Sequence, residues 1–498
     1  MSRVGSVRKM RYGMALLYVC LLAGTIVVAS ETPTKDDVMK ALREFSHAKF
    51  VGWRTSSDGG SSSSSDGDSE DSNTDLCNWQ GIACDIVGNV VQIKLNGLGL
   101  GRGRLPTDWG ILNKLRVLDL RGNGLDGPLP EEWETMTSLE YIYLDGNSLT
   151  GSIPKSWCKL QQLKHLYLDN NRLDGELPDC DDWEEMEVIY IENNRISGEL
   201  PERWSGMPKL TTLMVGNNRL TGSLPDDWSR MESAEHIHLE DNELDGALSA
   251  SWNSLSNLET LYLHGNEMDG ELPEEYGDLT NLSVLSLDDN HFSGSLPESW
   301  SHLSKLQYLY LQDNSISGNL PASWGAMGTL REMHLDENRL QGDLPEEWEK
   351  LRSLTHLYLR RNKLAGKIPH QWSGMRQLQT LQLWGNELSG TLPGRFGLLK
   401  KLRIIALHDN NLDGKLPINW RKLSNLQYLF LHNNQLTGTF PLEWARGMIS
   451  MKQMELEGNR LNLDLELAER KERHRALKRE ANLGKNQSRR RRQMRRRR

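Results

Sequence analysis

From Ile93 to Leu461 the apolar positions recur in blocks of one length. A typical block opens with two leucines two residues apart, Leu118-Asp119-Leu120. It passes Asn123, then Leu125, Gly127, Leu129-Pro130 and Trp133, and closes with Met136 and Leu139 before the next block. Fifteen asparagines hold the phase: Asn123, Asn147, Asn171, Asn194, Asn218, Asn242, Asn266, Asn290, Asn314, Asn338, Asn362, Asn386, Asn410, Asn434 and Asn459. They are 24 residues apart, with one step of 23 and one of 25. Alternation at period two predicts a short strand with one face buried and the other in water. Gly follows the first fourteen asparagines by four residues, and Pro follows thirteen of those by seven, Ser249 being the exception. Glycine frees the backbone to bend, and proline fixes φ and gives up a donor, so this half of the block reads as turns and edges. Three residues after the proline stands an aromatic, usually Trp, with Tyr276 and Phe396 in two blocks. An aromatic at one fixed phase reads as a packing column on the side away from the strands.

A period of 20–29 residues denotes stacked repeats. Coiled coils repeat every seven residues, and two-helix repeats lack a Gly and a Pro at fixed phase. The pattern L-x-x-L-x-L-x-x-N-x-L is the leucine-rich repeat signature. The expected fold is an α/β-type solenoid of about 16 coils of about 24 residues, with a parallel concave β-sheet and an irregular or 3-10 convex side. At ~4.8 Å between strands the sheet would run ~75 Å. The asparagine falls where the chain must turn inward. Its amide would need backbone partners from neighbouring coils, which predicts a ladder of buried polar contacts.

The unit Leu-x-Leu-x-x-Asn-x-Leu-x-Gly-x-Leu-Pro resembles the plant-specific subclass of leucine-rich repeats, and Cys77-x-Trp79-x-Gly81-x-x-Cys84 before Val90 and Leu95 looks like that subclass's N-terminal cap. The likeness covers about residues 36–467. Trp after Leu-Pro-x-x, as in Leu129-Pro130-Glu131-Glu132-Trp133, is similar to trypanosomatid surface-antigen and proteophosphoglycan-type proteins. The resemblance implies extracellular or cell-surface recognition through the concave face, and no catalysis by the repeats. The membrane span and kinase of plant receptor kinases are not found here.

Composition and ends refine this. Residues 1–30 read as a secretory signal: Arg3, Arg8, Lys9 and Arg11 precede an apolar stretch too short for a comfortable membrane span, and Ala29 and Ser30 offer a cleavage point. An uncleaved signal anchor is the alternative. Residues 31–90 form the expected N-terminal cap, interrupted at 56–75 by a Ser, Gly and acid-rich insert that cannot bury apolar surface. The solenoid occupies 91–461, and 462–498 is a C-terminal cap with a basic tail. Without Cys20 of the leader, four cysteines remain. Cys77 and Cys84 would staple the open end. Cys158 and Cys180, 22 residues apart and so nearly one period, would bridge adjacent coils. The tail 470–498 carries 15 Lys/Arg against 2 acids, whereas 31–469 carries 40 Lys/Arg against 66 Asp/Glu. An acidic body with a basic tail suits tail contacts with anionic membrane or acidic glycans, and the secretory leader argues against nucleic acid. Asn281 and Asn486 are glycosylation sequons.

The candidate binding face is read down the strands. The residue between the two strand leucines should face outward, giving Tyr143, Tyr167, Tyr190, His238, Tyr262, Tyr310, His334 and Tyr358 among others. Tyr141 leads a column two residues earlier. Two residues later runs an acidic column: Asp145, Asp169, Glu192, Glu240, Asp288 and Asp336. It changes character at Arg360, Trp384, His408 and His432. Tyrosine offers large contact area and a polar tip at low entropic cost, which suits recognition, although cross-strand stacking alone would also use it. The expected partner is a protein or glycan, basic or rich in hydroxyls. His236-x-His238, with His264 on the next strand, would set imidazoles on one face about 7 Å apart by strand rise. No metal or cofactor is assigned from this, and no catalytic motif is present. The reading is a recognition protein, secreted or at the cell surface, with a surface-coat or adhesion spacer lacking a dedicated ligand as the alternative.

Overall fold

The computed structural model describes Asp37, Ala41 and residues 76–462. The leader expected at 1–30, the insert at 56–75, the sequon at Asn486 and the basic tail lie outside the described residues. One 17-stranded sheet dominates. It starts with an antiparallel pair, Ile82–Cys84 on Val90–Lys94. From Val90–Lys94 to Gln453–Glu455 every further pairing is parallel. Register never slips: Tyr143 pairs with Tyr167, Tyr167 with Tyr190, His238 with Tyr262, and Tyr310 with His334. A slip of one residue would turn each strand's leucine out to water.

The asparagine ladder enforces that register. Asn266, 6 % exposed, donates from Nδ2 to the carbonyls of Leu239 (3.1 Å), Leu263 (3.0 Å) and His264 (3.3 Å), and accepts at Oδ1 from the Leu244 amide (3.0 Å). One side chain thus closes its own turn and ties it to the coil before. Immediately before each asparagine the chain passes through left-handed backbone, at Gly265 and, without glycine, at Asn217, Asp241, Glu337 (φ 52°) and Arg361 (φ 50°). Asn and Asp tolerate this conformation, and Glu and Arg pay steric strain in it.

The convex side carries a second ladder. In all but one of the coils between Thr107 and Lys422 a short 3-10 helix forms, as in Glu131–Thr135 and Glu298–His302, and its aromatic is fully buried. Only the last coil uses an α-helix, Leu442–Gly447. The indoles stack, with Trp133 and Trp157 5.8 Å apart and Trp228 and Trp252 5.9 Å apart. Each of these Nε1–H groups donates to the proline carbonyl of the previous coil, Trp157 to Pro130 at 2.9 Å and Trp252 to Pro225 at 3.0 Å. Trp109, first in line, has Ala41 O as its acceptor at 3.4 Å, so the N-terminal segment caps the column. Tyr276 occupies the same fully buried place, but its hydroxyl has no partner.

Two features depart from expectation. The flank after the asparagine is not merely irregular. Asp126–Pro128, Ser148–Gly151, Arg172–Glu176, Arg195–Glu199, Arg219–Gly222 and Glu243–Leu244 form a second parallel sheet, and three two-stranded sheets continue it. Their D-G-P and T-G sequences carry turn chemistry, and neighbouring coils impose the pairing. Secondly, the 23-residue coil at Asn171–Asn194 has lost its 3-10 helix. There Trp183 donates instead to Trp157 O (3.2 Å), and Cys180 bonds Cys158. Cys77 and Cys84 are also bonded, closing the first hairpin.

Asn266→Ala leaves the buried Leu244 amide without its acceptor and takes one donor from each of the Leu239, Leu263 and His264 carbonyls, and is expected to cost about 2 kcal/mol in urea unfolding; a loss near zero would remove the ladder from the account. Tyr276→Phe deletes a hydroxyl with no partner where Phe396 shows that a phenyl ring fits, and should raise stability by up to about 1 kcal/mol. A fall in stability would show that the hydroxyl is satisfied.

Candidate recognition face

Along the sheet face turned away from the core, in-phase strands bring the same position of successive coils into van der Waals range. The tyrosines selected from the sequence do lie on this face, each half-buried. Tyr143, Tyr167 and Tyr190 form one stack, with ring centroids 5.0 and 4.8 Å apart. Tyr141 meets His165 edge-on at 4.9 Å. Farther along, His238 meets Tyr262 at 4.2 Å, and Tyr310, His334 and Tyr358 follow one another at 4.9 and 4.2 Å. The wall is therefore segmented. Met214 (9 % exposed) and Ser286 (4 %) sink between the aromatic groups and divide them into patches. Burial raises the phenol pKa of Tyr143, Tyr167, Tyr190, Tyr262 and Tyr358, and pushes Tyr310 up to about 12. These hydroxyls stay protonated and can both donate and accept.

The acidic column is present but less charged than its composition suggests. Burial, and then the negative charge of Glu240, push Glu192 up to about 7. Asp336 is also raised to about 7, by burial first and then by Glu337 and Asp313, against the opposing pull of Arg360. Asp145, Asp169 and Glu240 are raised as well, by burial first in each case. Coils 4.8 Å apart crowd like charges that the sheet also shields from water, so protonation relieves both costs. Asp288 is tied down differently, accepting from Ser286 Oγ (2.6 Å) and Gln312 Nε2 (2.8 Å). Asp336 accepts the Arg360 amide at 2.7 Å. Arg361 lies 5.0 Å from the Trp384 ring centre, at the point where the column turns basic.

His236 and His238 lie on one face with ring centroids 6.5 Å apart, as strand rise predicts, but no donor set forms among the three histidines. Thr260 Oγ1 bridges His236 Nδ1 (2.9 Å) and His238 Nε2 (2.8 Å), while His264 Nδ1 turns to Ser286 Oγ (3.2 Å). His238 instead approaches Glu192 and Glu240. Burial pushes its pKa down to about 4, and its two histidine neighbours add to the effect. Several contributors escaped the sequence reading. Arg121 chelates Asp119 (2.9 and 3.1 Å) and places its guanidinium 4.3 Å from the Tyr143 ring centre. Thr260 sits in the column held to be secondary, and Gly216 leaves the acidic column empty between Glu192 and Glu240. Reading the third column for missing side chains would have found Gly216. Asn281 is half-exposed at the rim, donating to Ser256 O (2.7 Å) and accepting from Lys305 (2.6 Å).

Comparison with known proteins agrees with this architecture. The leucine rich repeat model matches residues 113–173, 208–268, 256–316, 328–388 and 376–436, together more than half of the chain. No curated protein matches it by sequence. Among solved structures, the Arabidopsis receptor kinase HAESA, in complex with the peptide hormone IDA and a co-receptor, is 28% identical with TM-score 0.69 over 72% of this chain and 60% of that one. A TDR receptor is 29% identical with TM-score 0.68 over 73% and 64%. The chain thus spans less than two thirds of either receptor structure. A leucine-rich repeat protein of Leptospira interrogans is 30% identical with TM-score 0.59, covering 74% of this chain and 90% of that one. The chain belongs to the leucine-rich repeat family, and its repeats are of the plant-type extracellular kind.

Proposed function

We propose that this is a secreted or cell-surface recognition protein that binds an extended peptide or protein segment along the sheet face. The observation that carries the reading is the set of half-buried aromatic stacks beside poorly solvated carboxylates. Tyr167 and Tyr190 lie nearly parallel, at 8° and 4.8 Å. The faces they turn toward each other are covered, and ring edges and hydroxyls remain for a ligand. Edges and hydroxyls suit peptide amides and side chains; a sugar would need open ring faces to stack on. The HAESA structure, which holds a peptide hormone, supports the same class of ligand. The carboxylates beside the rings favour lysine or arginine in that segment. No helix among the described residues is long and apolar enough to cross a membrane, and attachment through the leader and membrane or glycan contacts by the basic tail belong to the same proposal.

Selection from a random displayed peptide library against the full chain tests this directly. Enriched sequences should carry basic residues, and Tyr167→Ala with Tyr190→Ala should abolish their binding. The double substitution forfeits two ring contacts, about 1 kcal/mol each, together with the burial of two half-covered rings on the sheet surface, so Tm should fall by several degrees while the fold persists. Absence of enrichment, or equal binding by wild type and variant, would favour the spacer reading. Affinity for such a basic peptide should also depend on pH. With its pKa near 7, Glu192 goes from roughly one tenth to roughly nine tenths ionised between pH 6 and 8. The ionised form attracts the cation, so binding tightens as pH rises, and Glu192→Gln should flatten that rise in titration calorimetry. An unchanged slope would exclude Glu192 from the contact.

A further inference from the structure

Between the first two aromatic patches the sheet face holds a cluster that shares Glu192 with the proposed peptide contact and adds His238 and Glu240 to it. Glu192, His238 and Glu240 each present one ligand atom, and the three atoms lie within 4.8 Å of one another. The two glutamates each stand two residues after the end of a strand, Val188–Tyr190 and His236–His238, and these strands are two coils apart with Thr212–Met214 between them. They can converge because the intervening coil offers no side chain at that position. A Cβ on Gly216 would lie 2.7 Å from both Cδ and Oε1 of Glu240. The φ of Gly216 is not positive, so its backbone does not call for glycine, whereas the space above it does. Glu240 Oε2 is buried and has no hydrogen-bond partner. Two carboxylates drawn together with one oxygen desolvated and unpaired is a costly arrangement for a protein by itself, and a bound cation offsets it.

We propose that Glu192, His238 and Glu240 form a binding site for a divalent transition-metal ion of the zinc class, with a coordination position left open to solvent or ligand. The donor set decides the class. An imidazole with two carboxylates suits zinc, cobalt or manganese, whereas calcium and magnesium take oxygen alone. Three protein ligands leave one position of a tetrahedral ion free. Donors about 2.0–2.1 Å from such an ion stand roughly 3.4 Å apart, and the three atoms here already lie within 4.8 Å of one another. The ion balances both carboxylate charges. Thr260 supplies the outer contact: a neutral His238 that donates Nε2–H to its hydroxyl keeps a lone pair on Nδ1. Two other groupings, His408 with Asp409 and His432, and His432 with Glu455 and Glu457, lack such a cradle. There His432 Nδ1 is already 3.2 Å from Glu455.

The probe is the metal alone. The full mature chain without a histidine tag, stripped with chelator, is titrated at pH 7.5 with zinc chloride by calorimetry and with cobalt chloride by visible absorption. A saturable site of one ion per chain is expected, with cobalt ligand-field bands and a raised Tm. Glu192→Gln with Glu240→Gln, which keeps the shape of both side chains, should abolish the bands. Gly216→Ala should weaken binding by pressing on Glu240, Thr260→Val by about tenfold, and His432→Ala should leave it intact. Absence of saturable binding overturns the inference, as does binding that survives the double glutamine variant or that disappears with His432. None of these readouts involves a peptide, so this site and the recognition reading stand or fall separately.

Discussion

The structure depends on one buried amide per coil. An asparagine that donates to two coils and accepts from one leaves the backbone a single low-energy register, because any other leaves polar groups unpaired in an apolar interior. Once register is locked, each column of the repeat becomes a physical line of atoms at strand spacing. The tryptophan column on the opposite side works in the same way. Apart from Trp109 and Trp183, each indole of the column ties its coil to the preceding proline, a residue with no N–H to give but a carbonyl to receive. Two hydrogen-bonded ladders enclose the leucine core, and the solenoid needs no compact globule to be stable.

Lines of like residues have consequences. Rings in one column stack, and so Tyr143, Tyr167 and Tyr190 cover the faces they turn toward one another and keep their edges. Carboxylates in one column repel and are shielded, so Glu192 and Asp336 take up protons near neutrality. A face that composition alone makes strongly anionic is therefore better described as aromatic edges, neutral imidazoles and carboxylates whose charge waits on a cation. Peptide and metal would both supply that cation, and at Glu192 they would compete for the same carboxylate.

Much of this was legible in the residues. Coil number, the strand positions, the asparagine ladder, the aromatic column and the outward tyrosines follow from period and alternation, since each is a property of a single coil repeated. What could not be read depends on two coils at once. The second sheet is one example: Asp126-Gly127-Pro128 looks like a turn until Ser148–Gly151 lies beside it. The metal-ligating cluster is another. His236, His238 and His264 are neighbours in the repeat, yet Thr260 holds a ring nitrogen of each of the first two and Ser286 one of the third, and the absence of a side chain at Gly216 admits two glutamates beside His238. Segmentation by Met214 and Ser286 likewise reflects how deeply a short side chain sinks between tall ones. The 23-residue coil shows the limit of periodic reasoning, since one missing residue exchanged a helix for a disulfide.

The central claim, that buried asparagines lock the register of the whole sheet, is tested most directly by amide hydrogen exchange along the ladder. The N–H groups of Leu220, Leu244, Met268 and Leu340 each donate to an asparagine Oδ1 at 2.9–3.0 Å. The account predicts that all four exchange only through global unfolding, with one common protection. Exchange at these amides as fast as at the exposed hairpin around Ile86 and Val87 would contradict it.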